Sequence, residues 1–216
     1  MTTPSWDDAY AGSEPPAWDL GQPQPTFVRL AKQGLLTGTV LDAGCGTGEQ
    51  TLLAASYGAD ALGVDVSPLA LEIARGKAAV RRIPATAGSQ VGPAAAGGQV
   101  GSARFEVADA LNLAELGLAF DTVIDSGLFH VFDDENRASY VASLASVLRS
   151  GGSCYLMCFS NLQEGTFGPR RVRKDEIISA FSDGWSVTGI EADEFVVNRE
   201  LGIATARAWL ATIRRL

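Results

Sequence analysis

Four residues at a regular spacing, in the stretch from Thr39 to Glu49, are the first sign of a ligand site in this 216-residue chain. Asp42 is followed at every second position by Gly44, Gly46 and Gly48. Because glycine has no Cβ, the backbone N–H groups of such a turn can come close to a ligand, and a helix that begins behind it favours an anionic group. The stretch therefore predicts a strand, a tight turn and a helix start that together bind a small molecule.

The residues that follow the glycines argue against two common nucleotide-binding motifs. Counted from Gly44, the dinucleotide fingerprint Gly-x-Gly-x-x-Gly needs glycine at its sixth position, where this sequence has Glu49. A carboxylate there would face the pyrophosphate, which disfavours NAD and FAD. The phosphate-binding Walker loop does not match either, because no Lys-Ser or Lys-Thr pair closes the glycine run. The pattern that remains is Asp-x-Gly-x-Gly-x-Gly.

Three further apolar segments each end in an acidic residue. They are Ala61 to Asp65, Phe105 to Asp109 and Phe120 to Asp125. With the glycine loop in front, these motifs stand in the order found in class I S-adenosylmethionine-dependent methyltransferases, and the sequence resembles that family. The resemblance implies S-adenosylmethionine as the cofactor: the loop would contact its methionine half, Asp65 its ribose, and Asp109 and Ala110 its adenine. Val66 is also expected to contact the cofactor.

Cys45 lies inside the glycine loop, and we predict that it forms part of the cofactor site. The other two cysteines are Cys154 and Cys158, and the three lack the Cys-x-x-Cys spacing of a zinc or redox site. We therefore expect reduced thiols and no bound metal. Cys45 could be a reactive thiol or a small residue that fills a tight turn, and the second interpretation is favoured.

His130 is the one histidine of the chain and the first candidate for catalysis. It ends the segment Asp125-Ser126-Gly-Leu-Phe-His, directly after the predicted fourth strand, where open α/β sheets bind their ligands. An imidazole there can take a proton from an acceptor hydroxyl, or orient it by a hydrogen bond. Because Phe129 and Val131 flank it, a buried structural histidine is the alternative. We predict His130 and Asp125 as catalytic, with Asp125 and Ser126 also near the cofactor.

The first 25 residues carry more aromatic side chains than a disordered arm usually does. Trp6, Tyr10 and Trp18 stand there, and the phrase from Pro15 to Pro25 resembles an element of thiopurine, thiocyanate and bacterial heterocyclic hydroxyquinolone methyltransferases. The resemblance implies that residues 1–25 form a lid whose aromatics cover the cofactor and exclude water. The alternative is an aromatic clasp that only packs the terminus onto the domain.

Strands and helices alternate along the rest of the chain, which predicts an α/β fold. Ser67 followed by Pro68 is a typical helix start, and Asp133-Asp-Glu predicts the start of a later helix. The fifth strand is expected from Ser153 to Phe159. Such alternation gives a mostly parallel sheet with helices on both faces, and the resemblance implies a Rossmann-like sheet of seven strands. Residues 206–213 alternate as a final antiparallel strand would. We expect one domain over residues 26–216, with a flexible insertion rich in glycine and alanine at residues 84–102.

Charge and motif content point to a small-molecule acceptor. The formal net charge is −8, with 17 Lys and Arg against 25 Asp and Glu, and nucleic-acid binding needs clustered positive charge. The one basic cluster, over residues 170–174, fits a solvated helix start better than a docking site. Asp125 is followed by Ser-Gly-Leu, not by the Pro-Pro-Tyr or Pro-Pro-Phe of amino-methyltransferases. Action on a nucleobase is therefore disfavoured.

The remaining expectations concern location and partners. No apolar run approaches the roughly 20 residues of a membrane span, and no signal peptide is visible, so a cytoplasmic protein is expected. We expect a monomer or a weak homodimer. Three functions stay open: a methyltransferase acting on an O, S or N atom of a small molecule, a noncatalytic S-adenosylmethionine-binding module that regulates a partner, and a nucleotide-dependent oxidoreductase. Glu49 argues against the third.

Overall fold

A seven-stranded sheet forms the centre of the fold. The computed structural model describes residues 6–12, 14–85, 101–198 and 204–216. The strands are β1 (Thr39–Ala43), β2 (Asp60–Asp65), β3 (Ser102–Val107), β4 (Phe120–Ser126), β5 (Leu148–Phe159), β6 (Trp185–Val196) and β7 (Thr205–Arg215). Their spatial order is β3-β2-β1-β4-β5-β7-β6. The strands from β3 to β5 pair in parallel, and β7 runs antiparallel to both β5 and β6. The predicted mostly parallel seven-stranded sheet with an antiparallel last strand is confirmed.

Helices cover both faces of this sheet. They are α1 (Trp6–Tyr10), α2 (Pro25–Lys32), α3 (Glu49–Ser56), α4 (Pro68–Arg81), α5 (Asp134–Val147) and α6 (Lys174–Ala180), with 3-10 turns at Ala110–Leu116 and Phe129–Val131. Helices α2, α3 and α4 pack on one face and α5 and α6 on the other. Side chains of β5 alternate between the two cores, with Met157 in the first and Leu156 in the second, as the two-residue period of a strand requires. Burial on both faces makes the sheet a rigid platform for the site.

The polar residues that begin the two longest helices are the ones the sequence indicated. Ser67 caps α4 by accepting a hydrogen bond from the Ala70 amide, with Pro68 in the first turn. Asp133 caps α5 by accepting one from the Asn136 amide. Each cap satisfies a backbone donor that the helix cannot pair internally. These starts are set locally, which is why the sequence predicts them.

Two segments differ from the expectation or include residues that the structure does not describe. Strand β5 begins at Leu148, five residues before the predicted Ser153, because Phe120 already pairs with Leu148 ahead of a bulge. Residues 86–100, most of the predicted insertion, lie outside the described residues, and Ser102 already belongs to β3. No helix among the described residues is long and apolar enough to cross a bilayer.

Candidate active site

A cavity of about 880 Å³ lies at the carboxyl ends of the parallel strands. Its volume is within the range of sites that bind small molecules. The strand order divides its walls into two halves. The half built on β1, β2 and β3 carries the glycine loop and several carboxylates, whereas the half built on β4, β5 and β6 carries mainly aromatic side chains. We call these the acidic half and the aromatic chamber.

Asp65, at the end of β2, holds the glycine loop of the acidic half in place. Its Oδ2 accepts a hydrogen bond from the Gly46 amide at 2.8 Å, and its Oδ1 accepts one from the Ser67 amide at 2.9 Å. Burial raises the pKa of this carboxyl. Gly46 has a φ of +51°, and a Cβ there would lie 2.8 Å from the Tyr10 hydroxyl. The loop, the strand end and the first helix therefore meet closely at this point.

Gly44 and Gly48 also have positive φ, at +67° and +82°. A Cβ at Gly48 would lie 2.6 Å from the Phe105 ring and 2.9 Å from Ala74. A side chain at this position would be strained by the backbone and would collide with α4 and β3. The last glycine of the motif therefore closes the packing of helix against sheet, while Gly44 and Gly46 line the cavity.

The remaining polar residues of the acidic half are all engaged. The buried Asp42 accepts a hydrogen bond from Thr51 Oγ1 at 2.6 Å, and burial raises its pKa to about 7. Glu49 forms ion pairs with Lys77 and Arg81 at 2.9 and 2.8 Å. Burial raises the pKa of Cys45 well above its usual range. The thiol therefore stays neutral, which supports its interpretation as a small residue that fills the turn.

The residues predicted near the ribose and adenine also line the cavity. Asp109 caps the turn after β3 by accepting from the Leu111 amide at 2.9 Å, and Ala110 is buried beside it. Val66 is about half exposed, at 46%. Ser126, at the end of β4, accepts a hydrogen bond from Gln50 Nε2 at 3.1 Å. The structure brings these residues to one opening.

The three aromatic residues of the first 25 lie over the acidic half. Trp6, Tyr10 and Trp18 all line the cavity, and Trp18 Nε1 donates a hydrogen bond to the Tyr10 hydroxyl at 3.1 Å. The two indole rings meet edge to face at 6.0 Å. Asp7 joins α1 to the start of α4 by accepting hydrogen bonds from the Ser67 hydroxyl and, at 3.4 Å, the Leu69 amide. Residues 1–5 and 13 of the predicted lid lie outside the described residues.

His130 lies between the two halves and lines the cavity, but one ring nitrogen is not available. The Phe159 amide donates a hydrogen bond to its Nδ1 at 2.9 Å. Burial, and then the positive charges of Arg137 and Arg171, lower the pKa of His130 to about 3. The imidazole is therefore neutral, and because Nδ1 accepts, the proton lies on Nε2. In this state His130 donates a hydrogen bond and has no free lone pair, so the predicted role as a general base does not fit.

Three phenylalanine rings line the aromatic chamber, and two of them pack directly against His130. The ring centroids of Phe159 and Phe195 lie 5.1 and 5.9 Å from the imidazole centroid and 5.6 Å from each other. Phe167 meets Phe159 edge to face at 6.2 Å. Such tilted packing leaves ring faces and edges for contact with another flat, apolar group.

A family model described as a methyltransferase domain matches residues 40–152, just over half of the chain. The chain belongs to this family. It is a class I S-adenosylmethionine-dependent methyltransferase, as the order of its motifs predicts, and S-adenosylmethionine is its cofactor.

Relatives and solved structures are similar to this protein over nearly its whole length. A 2-heptyl-1-hydroxyquinolin-4(1H)-one methyltransferase of Mycobacteroides abscessus is 31% identical over 201 residues, which cover 89% of this chain and 81% of the relative. A structure from work on the conversion of a disulfide bond into a thioacetal group during echinomycin biosynthesis has a TM-score of 0.80 at 33% identity, covering 97% of this chain and 91% of that one. The magnesium protoporphyrin IX methyltransferase of Synechocystis PCC 6803 with bound S-adenosylhomocysteine has a TM-score of 0.61 at 23% identity, covering 88% and 80%.

The residues of the acidic half fit this cofactor. Its amino acid and ribose parts present an ammonium group and two hydroxyls, which carboxylates bind well, and Asp42 and Asp65 line the half of the cavity next to the loop. Within the described residues, no group of three or more His, Cys, Asp or Glu side chains is placed to hold a metal ion.

Asp125 requires a correction, because it is fully buried and does not line the cavity. Its Oδ1 accepts from the amides of Gly127 and Leu128 at 3.1 and 2.7 Å. Its Oδ2 accepts from the Phe129 amide and the Tyr140 hydroxyl, both at 3.0 Å. These hydrogen bonds to the Asp125 carboxylate hold the turn that carries His130 in this methyltransferase. A catalytic or cofactor-binding role therefore does not fit its position.

Sequence reasoning did not identify two residues that anchor the amino-terminal segment. Asp19 accepts a hydrogen bond from Thr47 Oγ1 at 2.8 Å, next to Lys77 at 3.8 Å. Gln24 pairs with the backbone of Val196 in both directions, at 2.9 and 3.0 Å. Asp19 stands in the phrase from Pro15 to Pro25 and could have been found there, whereas the partner of Gln24 is 172 residues away in sequence.

Proposed function

We propose that this methyltransferase transfers the methyl group of S-adenosylmethionine to an O, S or N atom of a small, flat aromatic or heterocyclic molecule. The observation that supports this most is the aromatic chamber, where Phe159 and Phe195 pack against the neutral imidazole of His130 and Phe167 packs against Phe159. A flat ring can stack or pack edge-on among these side chains, and one hydrogen-bond donor can fix its orientation.

We further propose that the acceptor atom is already deprotonated when it binds. His130 cannot take a proton at Nδ1, which accepts from Phe159, or at Nε2, which carries its own. The carboxylates that line the cavity within the described residues belong to the acidic half or contact its loop: Asp19, Asp42, Glu49, Asp65 and Asp109. A phenolate-like oxygen or a thiolate needs no base, and the Nε2–H donor of His130 would stabilise and orient it.

When bound, the cofactor would supply a methyl group on a positively charged sulfur. The acceptor atom attacks the methyl carbon in line with the carbon–sulfur bond, and that bond breaks to leave S-adenosylhomocysteine. The residues of the chain have to align the acceptor atom with that methyl group and exclude water. Alignment of this kind accounts for several kcal/mol of barrier reduction or more. The rings of the chamber and the His130 donor align the acceptor, and Trp6, Tyr10 and Trp18 cover the opening. No proton transfer through the protein is required.

The relatives and the charge support this choice of acceptor. The name of the Mycobacteroides abscessus relative gives a substrate that is flat, heterocyclic and carries an acidic N-hydroxyl group. The net charge of −8 disfavours a nucleic acid as partner. A small acceptor and a monomer or weak homodimer form the simplest assembly consistent with these features.

Formation of S-adenosylhomocysteine is the direct test. The purified protein is given S-adenosylmethionine and a panel of 1-hydroxyquinolin-4(1H)-ones, thiophenols and phenols, and the same compounds with the acceptor atom already methylated serve as controls. We expect product only with the free acceptors. Cofactor binding without turnover on any of them would favour the alternative, a noncatalytic S-adenosylmethionine-binding module.

The Asp65→Ala variant tests the assignment of the acidic half. We propose that the Asp65 carboxylate accepts the ribose hydroxyls in addition to fixing the Gly46 amide. Losing charge-assisted hydrogen bonds should weaken S-adenosylmethionine binding by about 1.5 to 3 kcal/mol in calorimetry. Asp60→Ala, at the opposite end of β2, is the matched control and should leave affinity unchanged. Equal affinity in Asp65→Ala and wild type would remove Asp65 from the cofactor site.

A further inference from the structure

The loop between β5 and α6 forms the outer wall of the aromatic chamber. Residues 167–170 line the cavity at this end. The loop is closed at its base, because the Val172 amide donates to the Phe159 carbonyl at 2.9 Å and the Asn161 amide donates to the Val172 carbonyl at 2.9 Å. Residues 161–171 thus form a compact loop whose two ends meet, of the kind that is packed by its own side chains.

The side chain of Arg171 is hydrogen-bonded to backbone carbonyls along this loop. Its Nη1 donates a hydrogen bond to the Pro169 carbonyl at 2.6 Å, and its Nη2 donates to the carbonyls of Gly165 and Phe167 at 3.1 and 2.9 Å. Its Nε donates to the Gln163 carbonyl at 3.2 Å. The loop is wrapped around a single guanidinium group, which satisfies four of its carbonyls.

The same guanidinium joins the loop to the sheet. Its carbon lies 5.3 Å from the ring centroid of Phe159 and 5.2 Å from that of Phe167, within the range of a cation–π contact. Phe159 is the last residue of β5 and packs against His130. Arg171 therefore sets the distance between the fixed inner wall of the chamber and its outer wall.

We propose that Arg171 is a positioning residue that holds Phe167 in place as the outer wall of the aromatic chamber and so limits the size of the acceptor. The proposal rests on the function proposed above, since it concerns how that acceptor is selected. Lysine cannot replace Arg171, because a single ammonium group cannot reach four carbonyls spread over seven residues. Arg170 is not the equivalent residue, since it forms ion pairs with Asp134 and Glu176.

The first experiment compares two acceptors, 1-hydroxyquinolin-4(1H)-one and its 2-heptyl derivative, in wild type and Arg171→Met. We expect the variant to raise KM for the unsubstituted compound about tenfold. The ratio of kcat/KM for the heptyl compound to kcat/KM for the unsubstituted compound should be at least about fivefold higher in the variant than in wild type. Affinity for S-adenosylmethionine should change less than about twofold, because the loop lies outside the acidic half. Arg171→Lys should behave like Arg171→Met.

Matched variants separate this role from a general loss of structure. Arg173→Met removes an exposed arginine two residues away, which pairs with Asp175, and should match wild type. Phe167→Ala should reproduce the altered preference. In the double variant the two effects should not add, since Arg171 acts through Phe167. Additive effects, or an unchanged preference in Arg171→Met, would overturn the proposal.

A second readout needs no acceptor and keeps this proposal separate from the proposed function. Chymotrypsin cleavage after Phe167, followed by mass spectrometry, reports how well the loop is held. We expect cleavage to be at least about tenfold faster in Arg171→Met than in Arg173→Met at equal thermal stability. If wild type methylates neither quinolone, the proposed function fails on these compounds, and the cleavage rates alone test whether Arg171 positions the loop. Equal rates would contradict the positioning role of Arg171.

Discussion

Deletion of the first 20 residues should lower turnover by about 10²-fold or more while leaving a folded domain. The deletion removes Trp6, Tyr10 and Trp18 from the opening over the acidic half, so water reaches the reacting groups and alignment is lost. The fold should survive because α1 contributes no buried residue to the core. Gln24, whose side chain pairs with the backbone of Val196, remains in the truncated chain.

Turnover, cofactor affinity and the thermal unfolding curve are measured on the truncated protein. A shorter deletion that stops before Trp6 is the control and should match wild type. We also expect the amides of residues 6–20 to exchange more slowly when S-adenosylmethionine is bound, since the lid is predicted to order over it. If the 20-residue deletion keeps full activity, the amino-terminal aromatics are not a lid and serve only as a clasp that packs the terminus onto the domain.

The Asp125→Ala variant should lower the free energy of unfolding by about 3 to 5 kcal/mol. The substitution leaves the amides of Gly127, Leu128 and Phe129 and the Tyr140 hydroxyl without their acceptor in a fully buried site. Asp125→Asn keeps one acceptor oxygen and should cost about 1 to 3 kcal/mol. Because the turn carries His130, turnover should fall with stability.

Urea unfolding monitored by circular dichroism gives these values. Asp175→Ala, which removes an exposed carboxylate paired with Arg173, is the control and should unfold at the same urea concentration as wild type. If Asp125→Ala unfolds at the same urea concentration as wild type yet has lost turnover, the structural assignment of Asp125 fails, and its predicted catalytic role has to be reconsidered.

Features fixed by neighbouring residues were predictable from the sequence. The caps Ser67 and Asp133 bond to amides three residues on, and the glycine loop is defined by a contiguous motif. The seven-stranded, mostly parallel sheet followed from the resemblance in four motifs. Each of these signals lies within a short stretch, so it does not depend on knowing which distant segments come together.

Features that depend on distant partners were not predictable. The proton of His130 is placed by the amide of Phe159, 29 residues away, and only the folded chain shows that this amide reaches Nδ1. Asp125 resembled other acids at strand ends, but Tyr140 on α5 covers it. The aromatic chamber combines the ends of β5 and β6 with a loop, and no local pattern joins Phe159, Phe167 and Phe195.

The dependence of kcat/KM on pH tests the central claim most directly, that the acceptor arrives as an anion and His130 only donates. Two acceptors with well-separated pKa values are compared in wild type and His130→Asn at saturating S-adenosylmethionine. Because the pKa of His130 is lowered to about 3, it does not titrate between pH 5 and 9. We predict that in both proteins kcat/KM rises with pH, with its midpoint at the pKa of the acceptor used, and is constant above that pKa. An inflection near pH 6.5 that is shared by both acceptors and lost in His130→Asn would contradict the account.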